Sequence, residues 1–148
     1  MALENAANQL KRQGLFVTGS RLQVLRVLSK EQGPLSIKGI AQRSEKELAL
    51  STLYRVIGDL AEAKLVKTFP APDQRILVEL VGHQNEHHHH LYCESCQKVF
   101  DVSLDPELET MIDALVARIG RSHRMEITGH SFELYGRCQR GKQIEAQP

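Results

Sequence analysis

Ser51-Thr-Leu-Tyr-Arg-Val-Ile-Gly-Asp-Leu-Ala-Glu-Ala63 carries Leu53, Ile57 and Leu60 at helical spacing. Two β-type runs follow it, Leu65-Val-Lys-Thr-Phe69 and Arg75-Ile-Leu-Val-Glu-Leu80. Pro70-Ala-Pro-Asp-Gln74 joins the two runs as a turn. Upstream, Asn5 to Leu15 reads as a short helix stopped near Gly14, and Thr18-Gly-Ser20 offers capping hydroxyls before Leu22, Leu25 and Leu28. Gly33-Pro34 breaks that helix, and Ser36 begins another whose buried face is Ile37, Ile40 and Ala41. Helices followed by a hairpin make the winged-helix pattern, a helix-turn-helix with an added wing.

The remainder of the chain has a different character. Gly82-His-Gln-Asn-Glu86 is polar and turn-rich, and the charge balance changes across it. Residues 1–86 hold 12 Lys and Arg against 9 Asp and Glu, whereas residues 87–148 hold 7 against 9. A mildly basic front half suits a polyanion partner, although three charges decide nothing alone. Residues 1–82 are therefore read as a winged-helix domain, 83–86 as a hinge, and 87–148 as a second small domain, an α+β arrangement in a chain of 148 residues. In the second domain His89–Cys93 and Lys98–Val102 are expected as strands around a Cys-x-x-Cys turn. Asp105-Pro106-Glu107 starts a helix with Leu108, Met111, Ile112, Leu115 and Ile119 as its apolar stripe, and Met125 to Tyr135 returns as a strand.

Composition narrows the function classes. A chain 41% apolar and 25% charged is ordinarily globular. No apolar run approaches the ~20 residues of a membrane span, and Met-Ala-Leu-Glu-Asn5 carries no secretion signal. A cytoplasmic protein without a membrane partner is the expectation. Three cysteines, two of them spaced as Cys93-x-x-Cys96, are metal or redox chemistry in such a chain rather than a disulfide framework.

His87-His-His-His90 carries the most chemistry. On a strand, side chains alternate, so His87 and His89 face one way while His88 and His90 face the other. One run thus supplies half of each of two metal sites. His130 shares a face with Phe132 and Leu134 on the expected last strand and points inward. A lone inward histidine is more often a satisfied core residue than a ligand, but Glu109 beside the apolar stripe also faces the sheet, and a carboxylate there needs a cation. His87, His89, Glu109 and His130 make one four-ligand set. His88 and His90 look toward the wing, where Glu79 is the nearest candidate ligand and His83 in the hinge a second. Cys93 and Cys96 make half of a zinc knot, and Cys138 adds a third thiolate; a second Cys-x-x-Cys would need cysteine at the place held by Gly141.

These residues together resemble the ferric uptake regulator family of metal-sensing transcription factors. The resemblance runs from about Leu10 to Cys138. It rests on Val17-Thr-Gly-Ser-Arg-Leu-Gln-Val-Leu25, Ser51-Thr-Leu-Tyr-Arg-Val56, Ala63-Lys-Leu-Val66, His87-His-His-His-Leu-Tyr-Cys-Glu-Ser-Cys96 and Thr128-Gly-His-Ser-Phe-Glu-Leu-Tyr-Gly136. It implies a homodimer with an N-terminal winged-helix DNA-binding domain and a C-terminal α/β dimerisation domain. It implies a sensing site at the domain junction on Glu79, His88 and His90, and a second site on His87, His89, Glu109 and His130. The family's usual histidine from the first domain falls at about Pro34, which has no donor side chain, so His83 is taken as the fourth ligand. Peroxide-sensing relatives generally have aspartate where this chain has Glu109.

DNA contact has its own physical argument. A helix that buries Leu53, Ile57 and Leu60 leaves Ser51, Thr52, Tyr54 and Arg55 outward. Arginine reads guanine edges or phosphates, tyrosine packs on thymine methyls, and hydroxyls bind phosphate. Lys11, Arg12, Thr18 and Arg21 would extend a phosphate-contacting track. The reading is a metal-dependent repressor of metal-uptake genes that binds an inverted-repeat operator in double-stranded DNA as a metal-loaded homodimer. Zn2+ is expected on the cysteines, and Fe2+ or Zn2+, with Mn2+ third, as the regulatory ion. It is not read as an enzyme, and no small-molecule substrate is expected. The competing readings are a peroxide- or redox-sensing regulator of the same family and a small zinc hydrolase, which would need an open, water-bearing position on one histidine cluster.

Overall fold

The computed structural model describes residues 3–31, 33–82 and 88–138, and the chain divides into two compact units, 1–86 and 87–148. The fold is α+β. The first unit runs α1 (Leu3–Arg12), α2 (Gly19–Ser29), β1 (Leu35–Ser36), α3 (Ile37–Arg43), α4 (Leu50–Glu62), β2 (Val66–Pro70) and β3 (Ile76–Leu80). The second runs β4 (His89–Cys93), β5 (Val99–Val102), α5 (Pro106–His123) and β6 (Glu133–Gly136).

Local chemistry sets the helix boundaries of the first unit. Thr18 caps α2 by accepting the backbone N–H of Arg21, and Ser36 caps α3 by accepting that of Gly39 at 3.1 Å. Leu10, Leu25, Ile40, Leu53 and Leu60 are fully buried, so α1 to α4 share one core, and Val66, Val78 and Leu80 of the wing close it. Burying such side chains contributes roughly 1.5–3 kcal/mol each against leaving them in water. The wing is an antiparallel β2–β3 pair in which Lys67 faces Glu79 and Phe69 faces Leu77. A third strand was not expected from sequence: two residues, Leu35 and Ser36, add to β3 as β1. A run that short carries no alternation to detect.

In the second unit the strand order is β5-β4-β6, with β5 antiparallel and β6 parallel to β4. A parallel return needs a crossover, and α5 supplies it. Its Pro106 sits at the helix start, and its end is turned by Arg124 in the left-handed region at φ 53°. The expected strand from Met125 is corrected here. β6 begins only at Glu133, because β4 offers register from His90 opposite Glu133 onward, and residues 125–132 are irregular. The apolar stripe of α5 is also not a core face: Leu108, Met111, Leu115 and Ile119 are exposed, Met111 by 68%, as are Met125, Ile127, Phe132, Leu134 and Tyr135.

Two glycines differ in what surrounds them. A Cβ at Gly58, inside α4, would meet nothing within 4 Å, whereas one at Gly120 would stand 2.8 Å from the Met125 carbonyl oxygen. Gly58→Ala should therefore raise stability by about 0.5–1 kcal/mol through helix propensity. Gly120→Ala should lower it by about 1–3 kcal/mol through overpacking. Urea unfolding of both variants checks the opposite signs.

Candidate metal centres

Among the described residues, three donor clusters lie in the second unit. The first follows from β4 alternation. His89 is buried, and its Nε2 lies 2.8 Å from Oε1 of Glu109, which α5 presents one turn into the helix. His130 brings its Nε2 to 3.6 Å from the other oxygen of Glu109, and its ring stacks on His89 with centroids 5.6 Å apart. Donor atoms of His89, Glu109 and His130 all lie within 4.8 Å of one another. His130 reaches this place from the irregular segment before β6 rather than from the strand itself. His87, the fourth member of the expected set, lies outside the described residues.

The proton arrangement of this cluster is legible. The backbone N–H of Phe132 donates to Nδ1 of His89 at 3.2 Å, so the neutral ring carries its proton on Nε2 and donates it to Glu109. A divalent cation on Nε2 would replace that proton, move the ring proton to Nδ1, and release the Phe132 amide. Two imidazoles and a carboxylate suit iron, zinc or manganese.

The opposite face of β4 holds the second cluster. His88 and His90 stand edge to face, 5.1 Å between centroids, and their Nε2 atoms lie 4.0 Å and 3.8 Å from Oδ1 of Asp101. Asp101 was missed in the sequence. Its signal was there, because a hairpin turning through Cys-x-x-Cys sets Asp101 directly opposite His90. Glu79, the expected partner from the wing, is buried on β3 and ion-paired with Lys67. His83 lies outside the described residues.

The third cluster gathers Cys93, Cys96 and Cys138, whose sulfur atoms lie within 4.8 Å of one another. Cys93 is buried, Cys138 half-buried and Cys96 exposed, and none is in a disulfide. The Cys93–Cys96 turn closes through Gln97 in the left-handed region, its N–H bonded to the Cys93 carbonyl at 2.8 Å. Backbone N–H groups of Cys96 and then Cys138 donate to Cys93 Sγ and draw its thiol down to about 6. Cys138, hydrogen-bonded first to Cys93 and then to Cys96, is pushed up to about 11. A preformed thiolate flanked by two more sulfurs fits zinc. Gly141, where a fourth thiolate was looked for, lies outside the described residues.

The residues expected at DNA lie in the first unit and divide into two groups. Ser51, Tyr54 and Arg55 on α4 are exposed, Thr52 is half-buried, and no side chain caps the helix start. Lys11 and Arg12 are exposed at the end of α1. Thr18 and Arg21 also make structural contacts. Thr18 is the α2 cap, and Arg21 joins Asp59 of α4 at 2.6 Å and the Phe16 carbonyl at 2.8 Å.

The thiol shifts set a pH dependence for the metal-free, reduced protein. A thiol lowered from 9.0 to about 6 contributes stability that is complete above 9 and lost as pH falls through 6. One raised to about 11 contributes stability that is complete below 9 and lost as pH rises through 11. Thermal midpoints should climb from pH 6 to 9 in the wild type and less steeply in Cys93→Ser. The decline above pH 9 should be weaker in Cys138→Ser.

The sequence profile of the Ferric uptake regulator family matches residues 12–135. The ferric uptake regulation protein of Escherichia coli (strain K12) is 34% identical over 136 residues, covering 89% of this chain and 87% of that protein. The crystal structure of the Vibrio cholerae ferric uptake regulator, whose DNA-binding domains show a structural rearrangement, aligns with a TM-score of 0.72 at 30% identity. It covers 89% of this chain and 98% of that one. A zinc-bound manganese uptake regulator aligns with a TM-score of 0.73 at 25% identity, over 94% of this chain and 100% of that one. A winged helix joined to a small sheet whose central strand divides its histidines between two donor clusters is thus matched over nearly its whole length, and the chain belongs to the ferric uptake regulator family.

Proposed function

We propose that this protein is a metal-dependent transcriptional repressor of metal-uptake genes, binding an inverted-repeat operator in double-stranded DNA as a homodimer in the cytoplasm. The observation that carries the reading is the division of His89 and His90 between two separate donor clusters on opposite faces of one strand. One cluster is His89, Glu109 and His130, and the other is built on His88, His90 and Asp101.

In this reading a regulatory Fe2+ or Zn2+, with Mn2+ third, binds His88, His90 and Asp101 and recruits Glu79 of the wing as a further ligand, with His83 available from the hinge. The metal favours the DNA-competent state because only that state offers the wing carboxylate. The His89, Glu109 and His130 site, with His87, stiffens the second unit, and zinc on Cys93, Cys96 and Cys138 secures its sheet. The exposed row Leu108, Met111, Leu115 and Ile119 on α5 supports dimerisation, since an apolar stripe of that size on a free surface marks an interface. At DNA, α4 presents Tyr54 and Arg55 to base edges and Ser51 and Thr52 to phosphate. Lys11, Arg12, Thr18 and Arg21 add phosphate contacts, Arg21 while also joining α2 to Asp59 of α4.

Two measurements test this. Operator duplexes selected from a random pool should bind tightly only with metal. Tyr54→Ala with Arg55→Ala should weaken that binding at least tenfold, at roughly 1–3 kcal/mol per lost base contact, with dimer and metal content unchanged. Wild-type affinity in the double variant would remove α4 from the interface.

The two histidine faces should also separate. His88→Ala with His90→Ala should abolish the metal response of DNA binding in a folded dimer. His89→Ala with His130→Ala should lower the thermal midpoint while the response persists. A metal response governed by the second pair alone would overturn the choice of sensing site.

A further inference from the structure

Glu79 is a carboxylate on β3 with 8% of its side chain exposed, and its neighbour on the same face of the strand is buried Leu77. A charge so placed needs a cation, and the wing already contains one. Lys67 of β2 stands directly opposite Glu79 in the antiparallel register, and its Nζ forms an ion pair with Glu79 Oε1. The two partners differ in what they can do next. The lysine side chain is 50% exposed, so its ammonium can swing into water on a flexible stem. The carboxylate stays in the sheet.

We propose that Lys67 sets the metal affinity of the sensing site: its ammonium occupies the Glu79 carboxylate in the metal-free protein and must withdraw before a divalent cation can take that ligand. The inference rests on the reading of Glu79 as a metal ligand given above, and it adds a residue that donates nothing to the metal. A carboxylate oxygen that holds an ammonium is a poorer ligand, since a second cation on it meets direct like-charge repulsion at contact distance. Lys67 therefore acts as a resident competitor. It keeps the buried carboxylate neutralised when metal is scarce, and it raises the metal concentration at which the wing is captured. A purely structural ion pair would behave differently, since losing it would weaken the wing without improving metal binding.

The test uses the full chain with zinc on its cysteines and with His89→Ala and His130→Ala, which silence the other histidine site. Co2+ affinity is measured without DNA by competition with a fluorescent chelator. In that background Lys67→Ala and Lys67→Gln should each bind Co2+ about tenfold more tightly, the scale of one charge-assisted contact. Both should have a lower metal-free thermal midpoint, and Lys67→Arg, which can still pair with Glu79, should return the weaker binding. Lys67→Gln retains a polar side chain of similar length should Lys67→Ala not fold. Glu79→Gln separates the two layers of the argument. If it weakens Co2+ binding while both neutral Lys67 variants bind no more tightly than the background, the competitor role is overturned and the ligand reading stands. If Glu79→Gln binds Co2+ as the background does, Glu79 is not a ligand and both fall.

Discussion

A β-strand sends consecutive side chains to opposite faces, and on β4 that alternation does more than order a sheet. It turns adjacent histidines into members of different sites. His89 goes to the buried face, where α5 and the segment before β6 bring Glu109 and His130. His90 goes to the other, where Asp101 waits across the β4–β5 register and His88, just ahead of the strand, joins it. A helix would have spread the same residues around a cylinder at about 100° steps, and no two donor sets would have separated so cleanly. A slip of one residue would exchange the two clusters, so on the proposed reading the register set by β5 and β6 matters to function as much as the histidines do.

None of the donor clusters is a set of idle ligands. His89 accepts an amide from Phe132 and donates to Glu109, Cys93 accepts two backbone amides, and Glu79 holds the Lys67 ammonium. A proton at His89 and an ammonium at Glu79 occupy positions that a cation would take, whereas the amides on Cys93 hold a thiolate ready for one. On the proposed reading, metal binding at those two residues would be an exchange, its free energy the difference between two satisfied arrangements rather than the filling of a void. The exchange at His89 would carry a structural consequence, because metal on Nε2 would leave the ring proton on Nδ1 and so release the Phe132 amide just ahead of β6.

Where periodicity was strong, the sequence was readable. Leu53, Ile57 and Leu60 marked α4 to within a residue or two at either end, and the β2–β3 pair followed from two β-type runs on either side of a turn. What escaped was decided by tertiary partners. β1 exists only because β3 has a free edge, and two residues carry no pattern of their own. His130 was placed on a strand that stops short of it, since the length of β6 is set by β4 and not by the β-propensity of Met125 to Phe132. Asp101 belonged to a register rather than to a motif. The partner of Arg21, Asp59 of α4, lies 38 residues away and left no signal in the sequence.

The exposed stripe of α5 ties these points to assembly. The main apolar cluster, from Ala6 to Leu80, lies wholly in the first unit. The second has Tyr92, Cys93, Val99 and His89 as its buried strand residues and leaves most large apolar side chains of α5 and β6 in water. A unit of that size buries too little surface to be comfortable alone, and metal ions or a second chain are the usual remedies. On the proposed reading it uses both. Metal then stabilises the same unit whose partnered face fixes the two-fold axis, and a two-fold axis makes the second copy of α4 read the same half-site in the opposite direction. The inverted symmetry of the proposed operator would thus trace back to an apolar helix face that one chain cannot cover.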